Sequence, residues 1–367
     1  MIDKKNPIPR YLQVKQIIED RVRTGSYRPG LRIPGERELA DELGVSQMTV
    51  NKSILEMVGE GWLYREHGRG TFVPDDFRAP VPAVLKIGIV SQVEVSRHAE
   101  DFYVGSLFRG MQQAIADSPV SLSIMAMPDS LYERLSASEM DGFLIADLAS
   151  GDIADAHRLV DAGKRLVVLS ASWPQLRVPF VDSDNRGGAK AAMDHLLDLG
   201  HRRIAGVFTL LPTANSLDRL HAWEEALRER SIHLSASYVI ATEGAFESIE
   251  ERTAQVRCLL SLPERPTAFF CAGYYSALET LQAVRAAGLR VPEDVSITAF
   301  DDPVSAAHIT PPLTTVRQPL EAMGRAAMEK LLRWLRTGDQ PNIVDFLPTH
   351  LIVRGSTAPP SPDGEPR

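Results

Sequence analysis

From Lys86 onward the chain alternates short, almost wholly apolar runs with longer amphipathic stretches, and this alternation narrows its possible folds more than any other feature. Lys86-Ile87-Gly88-Ile89-Val90, Leu122–Met127, 141–145, Leu166–Ser170, Ile204–Phe208, Ala268–Cys271 and Ser296–Phe300 read as strands apolar on both faces. Between and after them, Val104–Ile115, Asp152–Gly163, Gly187–Leu199, Asp218–Arg230, Ile249–Leu260, Ser276–Gly288 and Ala322–Arg336 carry a helical period. Strands buried on both faces and separated by helices imply parallel sheets covered by helices. The span is long for one such sheet and comfortable for two lobes.

The first 73 residues have a different order. An amphipathic helix is expected over 8–24, where Tyr11, Leu12, Lys15, Ile18 and Val22 recur at helical spacing, with Gly25 as its stop. A turn at Tyr27-Arg28-Pro29-Gly30 leads to a short helix, Glu36–Leu43, with Leu39, Ala40 and Leu43 on one face. Gly44-Val45 breaks it, and Ser46 caps a third helix running to about Gly59, with Val50, Ile54, Leu55 and Val58 as its expected inner face. Two strand-like runs, Trp62–Arg65 and Thr71–Val73, flank Gly68 and Gly70 and read as a hairpin. This is the order of a winged helix-turn-helix, in which the third helix is presented to a major groove. Charge agrees: residues 1–73 carry 12 Lys/Arg against 10 Asp/Glu, a net +2, and the remainder 28 against 38, a net −10, which together give the chain's −8. A uniformly basic nucleic-acid coat is excluded; only the amino-terminal fifth can face a polyanion.

Residues 11–14 (YLQV), 25–30 (GSYRPG), 33–40 (IPGERELA), 44–50 (GVSQMTV) and 68–73 (GRGTFV) together resemble the DNA-binding domain of the GntR family. Beyond the Pro-rich stretch Pro74–Leu85, a second resemblance rests on 181–188 (VDSDNRGG), 195–205 (HLLDLGHRRIA), 288–297 (GLRVPEDVSI), 300–302 (FDD) and 310–319 (TPPLTTVRQP). These are similar to the effector domain of LacI/GalR-type repressors, itself like periplasmic sugar-binding proteins. The expected organisation is α/β: a GntR-type winged helix over 1–75, a linker over 76–85, a two-lobed, doubly wound, periplasmic-binding-protein-like (type I) sensor over 86–357, and a disordered tail over 358–367, the Pro-rich character setting in at Ser356. The pairing resembles arabinose-type repressors.

At the DNA end, Arg37 at the start of the second helix is expected at a phosphate. Ser46, Gln47, Thr49, Asn51 and Lys52 are expected on the exposed start of the third helix, and His67 and Arg69 at the tip of the hairpin. Gln and Asn can bond adenine bidentately, and Ser and Thr can reach phosphates or base edges. Many GntR proteins carry Arg where this chain has Gln47, so base preference does not carry over. At the sensor end the resemblance implies Arg219 and Asp301 as polar anchors for ligand hydroxyls, Phe102 as a stacking aromatic and Gln318 on a crossing segment. The family's ligand-bonding Asn is replaced here by Gly273. Tyr274 or Tyr275 is then a candidate substitute. Crossings between lobes are expected near Asp184, Asp302 and Gln318.

No Gly-rich phosphate loop, HExxH or GxSxG is present, so no catalytic residue, metal or cofactor is expected. His195 and His201 read as structural residues at a helix end. Cys258 and Cys271 sit in apolar contexts and are expected buried. No apolar run approaches the roughly 18 residues of a membrane span, and the start lacks the apolar core of a signal peptide, which points to the cytoplasm. The implied partners are double-stranded operator DNA, a small-molecule effector such as a sugar or sugar derivative, and a second copy of the chain, since one helix-turn-helix makes too few contacts for a specific site. The expected role is a ligand-responsive repressor of carbohydrate uptake or catabolism genes, released from its operator by the effector, with an activator or a corepressor-dependent regulator as the alternative, since sequence does not fix the sign. A solute-binding role fits the second resemblance alone, and an enzyme fused to a GntR-type domain would need a longer partner domain.

Overall fold

The computed structural model describes residues 9–23, 25–75, 77, 84–91, 102–116, 118–211, 213–233, 235–243 and 249–361. The chain divides into two compact units, Met1–Ala83 and Val84–Arg367. Most of the expected linker, and residues 362–367 of the expected tail, lie outside the described residues.

The first unit holds α1 (Arg10–Arg23), α2 (Glu36–Leu43), α3 (Gln47–Gly59) and an antiparallel hairpin of β1 (Tyr64–Glu66) and β2 (Gly70–Phe72). Its core joins Val14 and Ile18 of α1, Leu39 and Leu43 of α2, Val50, Ile54 and Met57 of α3, and Ile33, Trp62, Leu63 and Val73. Gly44 ends α2 in the left-handed conformation (φ 67°), which turns the chain within two residues into the Ser46 cap of α3. The expected inner face of α3 needs one correction. Leu55 is 53% exposed and Met57 takes the buried place, because the row from Val50 through Ile54 continues three residues on and not one.

The second unit contains two six-stranded sheets. The first has the order β13-β7-β6-β5-β3-β4, from β3 (Leu85–Ser91), β4 (Val120–Ala126), β5 (Gly142–Ala146), β6 (Arg165–Leu169), β7 (Phe180–Ser183) and β13 (Val344–Leu347), all parallel. The second has the order β14-β12-β11-β10-β8-β9, from β8 (Ile204–Leu211), β9 (Val239–Glu243), β10 (Ala268–Cys271), β11 (Ser296–Phe300), β12 (Thr314–Arg317) and β14 (His350–Ile352), antiparallel only at β14. The first lobe carries α4 (Phe102–Ile115), α5 (Leu131–Ser136), α6 (Ile153–Asp161) and α11 (Leu320–Thr337). The second carries α7 (Asn185–Asp198), α8 (Ala214–Glu229), α9 (Ile249–Leu260) and α10 (Tyr274–Ala286). α11 returns the chain to the first lobe against α4. The two backbones meet at Gly110 and Gly324, where an added Cβ would stand 1.9 Å from the Glu321 carbonyl oxygen and 2.1 Å from that of Leu107.

The chain therefore crosses between lobes three times, after β7, after β12 and after β13. The third crossing is at Pro348-Thr349, not near Asp302. Asp302 lies between β11 and β12 of one sheet, where it accepts hydrogen bonds from Thr315 and Arg317 at 2.7 and 2.8 Å. Short edge strands such as β13 and β14 carry too few residues for a periodic signal. The crossings are bonded to one another: Asp184 N–H donates to Leu347 O (2.8 Å) and the Thr349 hydroxyl to Asp184 O (3.1 Å).

Two further expectations change. Cys271 is buried but Cys258 is exposed, on the outer side of α9 away from Val256 and Leu259. The chain also remains packed through Ala358. Ser356 is fully buried and its hydroxyl donates to Ile297 O at 2.6 Å, while Ala358 N–H donates to Ser296 Oγ at 3.0 Å. His195 and His201 hold this segment, through Thr357 Oγ1 and Ala358 O, each at 2.9 Å, and burial pushes the His201 imidazole down to about 4.

Candidate DNA interface and effector cleft

At the start of α3 the expected DNA-facing residues divide into two groups. Ser46 and Thr49 cap the helix: Thr49 N–H donates to Ser46 Oγ at 3.2 Å, and the two hydroxyls are 2.8 Å apart. Asn51 donates to Glu36 Oε1 at 2.9 Å, an oxygen that also takes Arg65. The Lys52 ammonium lies 3.6 Å from the centre of the Tyr11 ring. Gln47 is exposed with no side-chain hydrogen bond among the described residues, and its neighbour Met48 is 84% exposed. Arg37 is exposed on α2; His67 and Arg69 are exposed at the hairpin tip, with Arg69 against Glu66. Arg32, Arg65, His67 and Arg69 line a concavity together with Gly35, Glu36 and Glu66, and Arg65 and Arg69 are paired there with Glu36 and Glu66. The Gly35 N–H donates to Glu38 Oε2 at 2.8 Å, so a phosphate here would meet the basic side chains, of which Arg65 and Arg69 have Glu36 and Glu66 as present partners. Arg32 and Arg65 were not among the expected residues. They lie far apart in sequence, and only the hairpin, bridged at Arg32 and Phe72, brings them together.

In the second unit the candidate cleft lies at the carboxyl ends of the parallel strands, where α/β sheets hold ligands. Asp147 after β5, Ser170 after β6 and Asp301 after β11 each adopt a positive φ, of 54°, 62° and 73°. Such backbone costs about 1–3 kcal/mol per residue and clusters at functional sites. Arg219, in α8, is 7% exposed. Its Nε and Nη2 donate to Asn185 Oδ1 at 3.0 and 2.8 Å, its Nη1 donates to Ala272 O at 2.6 Å, and its guanidinium lies 3.6 Å over the Phe300 ring. It thereby ties the first crossing to the end of β10. Gln318 joins the second crossing to the first: its Nε2 donates to Asp301 Oδ1 at 2.5 Å, and its Oε1 accepts from the Ser183 hydroxyl at 2.6 Å.

Phe102 opens α4 and packs against the cores of both lobes, edge-on to Tyr274 at 6.1 Å and tilted against Tyr275 at 6.5 Å. Tyr274 is buried and turns its hydroxyl to Ser305, at 2.8 Å, which leaves Tyr275 as the exposed member of the pair. A Cβ at Gly273 would stand 4.0 Å from Asp301 Oδ2, in ordinary van der Waals contact.

Three further residues belong to this cluster. The Tyr103 hydroxyl donates to Ser170 Oγ at 2.6 Å, and its pKa is raised by burial and by Asp147, Asp182 and Asp301. Burial pushes the Asp147 and Asp182 carboxyls each up to about 7. Asp182 Oδ1 accepts from Ser183 N–H and Asn185, whereas its buried Oδ2 has no partner within hydrogen-bond geometry among the described residues. The signal that singles out Asp301, an acid directly after a buried strand, also fits Asp147 after 142–146. No group of three or more His, Cys, Asp or Glu among the described residues is arranged to hold a metal ion.

Comparison with known proteins agrees with both halves. Residues 10–73 match the gntR family of bacterial regulatory proteins, and residues 193–357 match the periplasmic binding protein-like domain. The arabinose metabolism transcriptional repressor of Geobacillus stearothermophilus is 31% identical over 96% of this chain and 99% of its own length. The HTH-type transcriptional regulator CelR of Thermobifida fusca is 32% identical over 73% of this chain and 79% of its own. Among solved structures, a transcriptional regulator CelR–cellobiose complex superposes with a TM-score of 0.66 at 24% identity, covering 88% of this chain and all of that one. A LacI family transcriptional regulator from Mycobacterium smegmatis gives 0.63 at 26% identity, covering 75% of this chain and all of that one. With a GntR-type winged helix, a two-lobed sensor and relatedness over nearly its whole length, the chain belongs to the family of transcriptional regulators typified by the arabinose metabolism repressors.

Proposed function

We propose that this chain is a repressor of carbohydrate uptake or catabolism genes, acting in the cytoplasm as a homodimer and released from its operator by a sugar or sugar derivative. The observation that carries the reading is the bonding of the expected ligand anchors to the crossings. Asp301 is held by Gln318, which is held by Ser183; Arg219 is held by Asn185, one residue beyond the first crossing. A ligand hydroxyl competing for Asp301 or Arg219 acts on the bonds that set the angle between lobes. Ligand occupancy and hinge position are then coupled without an intermediary. To switch, the ligand must favour one lobe arrangement by about 1.4 kcal/mol for each tenfold change in DNA affinity.

The names of the relatives, one for arabinose metabolism and one solved with cellobiose, support pentoses and short glucosides as the first effectors to try. The test is operator binding to DNA from the region upstream of the chain's own gene, with and without each sugar. Salt-dependent, sequence-preferring binding relieved by at least one sugar is expected. Binding that no sugar alters, together with no thermal shift, overturns the sensor assignment. A monomer by light scattering at micromolar concentration with tight operator binding overturns the dimer.

A further inference from the structure

The residues at the start of α3 do not stand equally free to meet a base. The Ser46 and Thr49 hydroxyls are engaged with each other, Asn51 with Glu36 and Lys52 with Tyr11. Gln47 and Met48 are the adjacent pair that remains, in the first turn of the helix, the part that meets base edges in helix-turn-helix docking. Met48 is the most exposed large apolar side chain among the described residues. An unbranched thioether held in water in the first turn of such a helix has no use in this unit's core, which is complete without it.

The chemistry of the pair is complementary. A glutamine amide offers one donor and one acceptor, the pattern that adenine N7 and N6 present in the major groove, whereas guanine presents two acceptors and suits arginine. The thymine C5 methyl is the one apolar feature of the major-groove edge, and an unbranched apolar side chain packs on it. We infer that Gln47 and Met48 together make the half-site of this protein an A·T-reading one, with Gln47 on an adenine edge and Met48 against a thymine methyl. This rests on the DNA-binding reading above and adds the bases it selects.

The experiment is selection from a random-sequence duplex library by the full-length protein, followed by binding to the enriched duplex with each thymine replaced in turn by deoxyuridine, which removes only the methyl. At one position per half-site, deoxyuridine should weaken binding about fourfold, the worth of one buried methyl-sized group. Met48→Ala should weaken the thymine duplex by a similar factor and bind thymine and uracil duplexes alike, and Met48→Leu should restore the discrimination. Gln47→Arg should move the enriched base at one position from adenine to guanine. Both side chains are exposed, so neither change threatens folding, and an unchanged melting temperature checks this. Equal binding of thymine and uracil duplexes at every position overturns the role of Met48. An enriched sequence unchanged in Gln47→Arg overturns that of Gln47. No enriched sequence at all overturns the DNA-binding reading itself, a different result from either.

Discussion

The two candidate sites are built in opposite ways. At the start of α3, the side chains best placed to meet a partner project from a core that does not use them: Gln47 and Met48 are exposed, and Val50, Ile54 and Met57 do the packing. In the cleft, the expected contacts are themselves structural. Arg219 is buried and gives three donors to the protein, Asp301 accepts from Gln318, and Phe102 packs on both lobes. Gln47 and Met48 can therefore be changed without changing the fold, whereas the candidate cleft residues are tied to the crossings between lobes. A sensor needs that tie and a reader of DNA does not.

The comparison is broken most severely by Arg219→Ala. It leaves Asn185 Oδ1 and Ala272 O buried without their donors, so melting should show a loss of roughly 3–4 kcal/mol along with the ligand response. A variant that melts like the parent would show that Arg219 is not structural. Asp301→Ala is next. It removes the Gln318 contact and strains an alanine at positive φ, together about 1–2 kcal/mol. Ligand response should vanish while DNA binding persists, and release of DNA at the parent's ligand concentration would contradict the cleft assignment.

A third effect is a pH dependence. The folded Asp147 and Asp182 carboxyls, near 7, keep protons that the unfolded chain has released. Their contribution to stability is therefore full below about 4 and declines as pH rises to about 7. Asp182→Asn should then melt higher than the parent at pH 8, by roughly 2–4 °C for each kcal/mol relieved, and the advantage should shrink towards pH 5. Comparison at each pH cancels His201, whose lowered pKa acts in the opposite sense, since its contribution is lost as pH falls from about 6.5 to 4. The smallest effect on the fold is Arg37→Ala. Melting should be unchanged, all duplexes should bind more weakly by a similar factor, and the salt slope should flatten by about one. Loss of preference for one sequence only would make Arg37 a base reader.

Local chemistry explains how much was legible. The winged-helix elements emerge within a residue or two of their expected bounds because helical period, Ser46 and Gly44 act over a single turn. The seven apolar runs read as strands are all strands, since burial on both faces leaves an unbroken apolar signal. Five strands, β7, β9, β12, β13 and β14, have no counterpart among the expected runs: each has five residues or fewer, and the polar residues in β7, β12 and β13 interrupt the apolar signal. Motifs single out Arg219 and Asp301 as candidates; Asp182 stands inside the 181–188 segment and Tyr103 beside Phe102, but the burial of Asp182 and the Tyr103–Ser170 contact depend on residues far apart in sequence, which no local pattern shows.

The sequence by itself determined most of the helices, seven of the strands in the second unit, where the two units part, and which residue types stand at the start of α3. These follow from side-chain periodicity and turn chemistry, which act between neighbours along the chain. Only the tertiary structure decided that Asn51 is held by Glu36, that Arg219 is bonded between two elements, that Asp182 Oδ1 takes Ser183 N–H and Asn185, and that the third crossing runs through Pro348-Thr349. Each of these depends on groups far apart in sequence meeting in a water-poor interior. There the number of donors and acceptors within about 3 Å, and not residue type, decides whether a polar group is already committed or stands ready for a ligand.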